Sequence, residues 1–321
     1  MLAMAAVAVA WANSPWADAY RQLAALPTAL RVGPIGVEKP LVLFVNDGLM
    51  AVFFLLVGVE IKRELAHGSL ASLRQALLPA FAAAGGMALP ALIFAATIGI
   101  AADGNPLALR GWAIPCATDI AFSLVVLKLA APRAPPALVV FLAAVAVIDD
   151  LGSILIIAVF YTEQLSPAML LAAFAPLAAL VALNRMRVES VAPYVVAGLM
   201  RSEERRDGKE CKMTIRDLLV HRSGLGLGAG KTLGVSLGTR LGTRFGGARL
   251  PSQATWPQVV AVAMLAGIGI TMSIFVASLA YESAAPGLFN GAKVGILFGS
   301  VVAALAGAVS LRTVSRDRGM P

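Results

Sequence analysis

The chain has 321 residues, 59% of them hydrophobic and only 14% charged, with a mean hydropathy of +0.83. Soluble domains run at about 45–50% apolar and about 25% charged, so this composition excludes a single water-facing globule. The net charge of +8 and the pI near 9.9 do not point to nucleic acid. The basic residues fall in short clusters between apolar runs, the pattern of membrane proteins with positive cytoplasmic loops.

A bilayer is crossed by about 20 mainly apolar residues. The opening MLAMAAVAVAWANS is apolar from its first residue and lacks the charged n-region of a signal peptide. It reads as a helix shortened at its start, over 2–12. Next, LPTALRVGPIGVEKP carries β-branched residues around a Gly-Pro pair. It is expected to form a small extramembrane β-hairpin over 27–40, with an irregular loop as the alternative. Spans are then expected at 41–60, 77–100, 112–131, 136–160 and 166–183, with a partial one at 189–200. Three more follow at 224–246, 256–282 and 287–311. Basic clusters follow alternate spans: Lys62, Arg63 and Arg74; Lys128 and Arg133; Arg185 and Arg187; Arg240, Arg244 and Arg249; Arg312, Arg316 and Arg318. This alternation puts both termini in the cytoplasm.

One stretch breaks the pattern. RSEERRDGKECKMTIRDLLVHR, from 201, is dense in charge and cuts the preceding span to about half its needed length. The alternation would place this cationic stretch outside, so it reads as an insertion or a junction. The organisation expected is therefore an N-terminal membrane part (1–200), the polar segment (201–223), a C-terminal membrane part (224–312) and a cytoplasmic tail (313–321). Cys116 and Cys211 form no disulfide framework: one lies in an apolar run, the other in this polar segment.

The chemistry sits in the apolar runs. The span at 136–160 contains VAVIDDLGSILIIAVF, with Asp149 and Asp150 at its middle. Insertion scales put each such acid at about 2.5–3.5 kcal/mol. Neighbouring helical residues point about 100° apart, so one acid can face a cation while the other reaches another helix. The structural alternative is an ion pair or a polar packing contact. In GWAIPCATDIAF, Pro115 disfavours a straight helix just before Thr118 and Asp119. This reads as a broken membrane helix whose freed backbone lines a cavity, or else as a kinked packing helix. LAGIGITMS, with Gly267, Gly269 and Thr271, suggests a second break. Lys231, in GLGAGKTLGVSLG, can pair with one of the aspartates; Lys293 lies nearer a span's start and can instead snorkel. Glu60, Lys62, Arg63 and Glu64 crowd one helix end, where a solvated anchor is the plain reading, and Asp47 is near the other end.

Five strings resemble the NhaA family of bacterial Na⁺/H⁺ antiporters: FFLLVGVEIKRELAHGSLASLRQ, GWAIPCATDIAFSL, AVIDDLGSILIIAVFYT, GKTLGVSL and LAGIGITMSIFVASLAYE. They run in the family's order, over 1–200 and 224–312. The resemblance implies an all-α polytopic transporter with inverted repeats and broken helices crossing at the bilayer midplane, an architecture for which this family is itself a standard example. The repeats would fall on 77–160 and 224–311. It further implies that Asp149 and Asp150 bind the cation and the proton, with Asp150 the main Na⁺ ligand, and that Thr118 and Asp119 of the first broken helix belong to the same cation- and proton-binding set. Lys231 would pair with Asp149, and Lys293 would be a second compensating charge. Glu60, Arg63 and Glu64 would serve the pH response, and the 27–40 hairpin would be a homodimer contact. Na⁺, Li⁺ as a second cargo, H⁺ and the lipid of a bacterial inner membrane are the implied partners; no cofactor is called for.

The chain departs from the family in lacking two helices between the 189–200 and 224–246 spans, a stretch that carries acid and histidine positions tied to pH sensing. RSEERRDGKEC resembles vector-derived sequence, and TIRDLLVHRSGLG resembles a fragment of the serine β-lactamase superfamily. A hydrolase is nonetheless rejected, because that superfamily's S-x-x-K motif occurs nowhere in the chain. The expected function is exchange of Na⁺ for H⁺ by competition for one acid site. A transport-inactive chimera and a passive channel are the alternatives.

Overall fold

Within a bilayer, backbone polar groups must be satisfied inside the protein, which leaves helices and closed barrels as spanning structures. Among its described residues, the computed structural model is accordingly helical apart from one hairpin. It describes residues 14–32, 35–45, 73–101, 106–161, 217–281 and 285–316, except 246, 249 and 253, together with residues 7, 10, 11, 48, 58 and 59. The expected spans at 2–12 and 41–60 lie mostly outside the described residues, and those at 166–183 and 189–200 lie wholly outside them. So do Glu60, Arg63, Glu64, Asp47 and Cys211.

The chain divides into two units. One comprises Met1–Val59 and Gln164–Arg205. Its described part holds helix α1 (Ala17–Ala25) and strands β1 (Pro27–Val32) and β2 (Ile35–Pro40). The strands pair antiparallel from Pro27↔Pro40 to Val32↔Ile35, the pair that flanks Gly33–Pro34. The hairpin expected over 27–40 is therefore present, with its strands at 27–32 and 35–40.

The other unit comprises Glu60–Glu163 and Arg206–Pro321. It contains α2 (Leu73–Ala101), then α3, a short helix at Pro106–Leu109 that tightens into a 3₁₀ turn over Arg110–Cys116. After a break come α4 (Ile120–Ala130) and α5 (Pro136–Ile156), which ends in a π-helical turn at Ile157–Tyr161. The second half runs α6 (Asp217–Phe245), α7 (Trp256–Leu265), α8 (Ile270–Tyr281) and α9 (Pro286–Arg316). Both expected breaks are real. The α3–α4 and α7–α8 pairs are each bent by 47°. Among the described residues, α2, α5 and α9 are long and apolar enough to cross a membrane unbroken, and each bent pair brings the number to five.

Helix α6 is described from Asp217, within the polar segment and seven residues before the expected span at 224–246. It is also absent from the strongly apolar helices. Lys231, Arg240, Arg244 and a glycine at every fourth position dilute its apolar character. Those glycines explain its place, packed against α2 and α9. A Cβ on Gly234 would sit 2.2 Å from the carbonyl oxygen of Gly85, and one on Gly238 would sit 2.1 Å from that of Phe81. Backbone thus touches backbone, as small residues allow in membrane helix pairs. On α2, a Cβ at Gly86 would lie 3.8 Å from Cδ of Lys231, so the lysine stem runs past this notch. The close approach delivers a long cationic side chain into the interior.

Gly238→Leu is expected to force α2 and α6 apart at a cost of about 1–3 kcal/mol, whereas Gly228→Ala, whose new Cβ would meet Ala303 Cβ at an ordinary 3.7 Å, should leave stability unchanged or higher. Thermal unfolding in detergent checks this: the first variant should melt several degrees lower and the second should not.

Candidate functional site

The two breaks meet at the centre of this unit and satisfy one another's freed backbone groups. Ser123 Oγ of α4 donates to the Leu265 carbonyl oxygen at the end of α7 (2.8 Å), and Thr118 Oγ1 is 2.8 Å from that of Ala266. The Asp119 amide donates to the Ile268 carbonyl oxygen (2.6 Å). In return, α8 donates to Asp119. Oδ2 of Asp119 accepts from the Thr271 amide (3.3 Å) and hydroxyl (2.8 Å), while Oδ1 accepts from the Phe122 amide (3.2 Å) in the first turn of α4. One carboxylate thus serves two helix N-termini, where orphan N–H groups and the helix dipole both favour negative charge. Two tyrosines hold the other end of the first broken pair. Tyr281 Oη donates to the Ala108 carbonyl oxygen (2.6 Å), and Tyr161 Oη donates to that of Arg110.

Asp149 and Asp150 project from α5 beside this junction, and both are fully buried. Asp149 Oδ2 accepts from Lys231 Nζ of α6 in a buried salt bridge and lies 2.6 Å from Thr118 Oγ1. Lys231 Nζ also donates to Thr118 Oγ1 (2.7 Å). A hydroxyl has one proton, so Thr118 can donate either to Asp149 or to the Ala266 carbonyl, but not to both. It is a two-position donor between the acid and the second break. By contrast, Asp149 Oδ1 and Asp150 Oδ1 are buried without a hydrogen-bond partner among the described residues. An uncompensated buried carboxylate oxygen is costly, and a bound cation or a proton removes that cost.

The expected site residues are therefore placed as follows. Thr118, Asp149 and Lys231 form one contiguous cluster, with Asp150 next to Asp149 on α5 and Asp119 at the crossing. Asp119 commits both oxygens to helix ends. Lys293, half-buried on α9, holds its ammonium over the Phe289 ring, 3.8 Å from the centroid. Ser123 and the glycines at 230, 234, 238 and 242 were not singled out from the sequence; the four-residue glycine spacing was the available signal for the latter. Cys116, a buried free thiol, has Sγ 3.4 Å from the Met87 carbonyl oxygen.

The sequence of this chain matches the family described as Na⁺/H⁺ antiporter 1 over residues 1–201 and 207–311. It is 41% identical to the Na(+)/H(+) antiporter NhaA of Albidiferax ferrireducens over 374 residues, covering 98% of this chain and 94% of that protein. Against Na(+)/H(+) antiporter NhaA 1 of Klebsiella pneumoniae the identity is 41%, with 97% and 91% covered. Against the Na(+)/H(+) antiporter NhaA of a Shewanella species, strain MR-7, it is 39%, with 100% and 95% covered. The first alignment is longer than the 321 residues of this chain, so that relative carries positions this chain skips. The break in the family match falls within the polar segment.

Thr118→Val keeps the shape of the side chain and removes the hydroxyl. It is expected to lower cation exchange about tenfold or more, the scale of a hydrogen bond to a charged group, with Thr118→Ser restoring most of it; initial rates in membrane vesicles are the measurement.

Proposed function

The chain belongs to the NhaA family of Na⁺/H⁺ antiporters and exchanges Na⁺ for H⁺ across a membrane; from that premise we propose that Na⁺ and protons occupy Asp149 and Asp150 by turns. The observation that carries the reading is the pair of unpartnered, buried carboxylate oxygens, one on each acid, beside a cluster that is otherwise hydrogen-bonded. Na⁺ is a hard cation that seeks oxygen ligands. Protons seek the same oxygens. Binding of one therefore excludes the other, and a change of access between the two states converts exclusion into exchange.

Asp150 is the principal Na⁺ ligand in this scheme. Asp149 is the partner whose charge Lys231 balances when no cation is bound. As Na⁺ arrives, its charge weakens the hold of Lys231 on Asp149, and the lysine gives up the salt bridge or a proton. Thr118 then turns its single proton to the Ala266 carbonyl and leaves the Asp149 oxygen free to bind the ion. Asp119 keeps the two helix ends charged-matched throughout, and Lys293 adds a second compensating charge from α9. Each of these steps uses groups of the chain itself, without an organic cofactor.

The chain is a multi-pass membrane protein; the bacterial inner membrane, with both termini in the cytoplasm, agrees with the alternation of its basic loops. Li⁺ serves as a second cargo, the 27–40 hairpin as a homodimer contact, and the cluster of Glu60, Arg63 and Glu64 as part of the pH response.

Expressed in an antiporter-deficient, salt-sensitive bacterial host, the chain should restore growth in salt and give Na⁺-dependent proton movement in everted vesicles. Asp150→Asn, present at equal level, should abolish both. Undiminished exchange in that variant would refute the assignment of the site.

A further inference from the structure

Three buried side-chain oxygens on α5 lack a hydrogen-bond partner among the described residues: Asp149 Oδ1, Asp150 Oδ1 and Ser153 Oγ. Ser153 is 3% exposed. It stands four residues beyond Asp149 and three beyond Asp150. Both spacings make it a neighbour of the acids on the helix surface, with Cβ atoms about 5–6 Å apart.

An orphaned buried hydroxyl is costly, because it loses its water partners and gains none. Hydroxyls in helices commonly avoid that cost by bonding back to the carbonyl one turn earlier. Thr97, Thr232 and Thr239 do so here, to Ile93, Gly228 and Val235, each at 2.7 Å. Ser153 does not. Ser236 on α6 is also without a partner, but it is only half-buried and no acid lies one turn away on its helix. Among the described residues, Ser153 alone combines burial, an unused oxygen and two acids on the adjacent turn.

We propose that Ser153 is a ligand of the transported cation, its Oγ completing the oxygen set that Asp149 and Asp150 begin. This rests on the assignment of the acid pair as the exchange site. The chemistry gives the residue a distinct task. A proton needs one oxygen, whereas Na⁺ replaces its lost water with several. A neutral hydroxyl adds an oxygen without adding charge, so it strengthens the hold on Na⁺ and leaves the competition with protons at the carboxylates. Li⁺ is smaller and fills its shell with fewer oxygens; ligand number and cavity size are the terms that separate such ions. Ser153 therefore favours Na⁺ over Li⁺.

The test uses the full chain in everted vesicles, with KM for Na⁺ and for Li⁺ measured for Ser153→Ala, Ser153→Cys and Ser153→Thr beside Asp150→Asn. The alanine variant should raise KM for Na⁺ about three- to tenfold, the scale of one lost uncharged oxygen partner, raise KM for Li⁺ less, and keep the rate at saturating Na⁺. The cysteine variant, with packing preserved but a soft sulfur in place of oxygen, should behave likewise; threonine should restore the KM. If Asp150→Asn is inactive while alanine and cysteine leave both KM values unchanged, or lower only the maximal rate, the ligand role is overturned and the acid pair stands. If Asp150→Asn exchanges normally, the acid pair falls and the role of Ser153 falls with it.

Discussion

A helix broken inside an apolar interior exposes N–H and C=O groups that no water can reach, and each must find a partner within the protein. This constraint organises the membrane unit. The end of α7 offers carbonyls, and α4 and its approach answer with Ser123, Thr118 and the Asp119 amide. The start of α8 offers donors, and the Asp119 carboxylate answers them while capping α4. Neither break is self-sufficient. Each supplies the groups that the other lacks, so the crossing holds two helix interruptions in fixed register.

The candidate site inherits its position from that crossing. Thr118 is at once a structural donor to the second break and a neighbour of Asp149, so backbone satisfaction and site chemistry share one hydroxyl. Lys231 reaches the same point because the α6 glycines let its helix lie against α2. The result is a buried ion pair between Lys231 Nζ and Asp149 Oδ2, with the second oxygen of Asp149 and one of Asp150 left without a partner among the described residues. Breaking a buried pair by removing one partner is strongly destabilising. A cation arriving at Asp149 keeps that acid compensated, and Lys231 would be spared the same penalty by giving up its proton, so that the buried charge stays balanced.

The sequence carried the chemistry of this site more clearly than its connections. Asp149, Asp150 and Lys231 stand out because charge inside an apolar run is rare and local. Pro115 and the glycines near 267 announced both breaks for equally local reasons. The resemblance of five strings to one family added the pairing of Lys231 with Asp149, which the residues alone left open. What stayed hidden was non-local. Ser123 and Leu265 are 142 positions apart, and no pattern in either neighbourhood links them. The double capping by Asp119 depends on two helix ends meeting in space. Ser153 looks like an ordinary small residue until it is seen buried with no hydrogen-bond partner among the described residues. Helical structure in α6 reaches back to Asp217, into the charge-dense stretch, because its packing is set by glycines farther along rather than by local hydropathy.

Competition between Na⁺ and protons for one set of carboxylate oxygens is the core of this account, and it is measured most directly as proton release on cation binding. Purified protein in weakly buffered detergent solution, with a pH dye, should acidify the medium when Na⁺ is added at a pH where the site is protonated. The release should fade as the pH is raised and the site empties of protons beforehand, and K⁺ should not evoke it. Na⁺ that binds across this range without releasing protons would contradict the account.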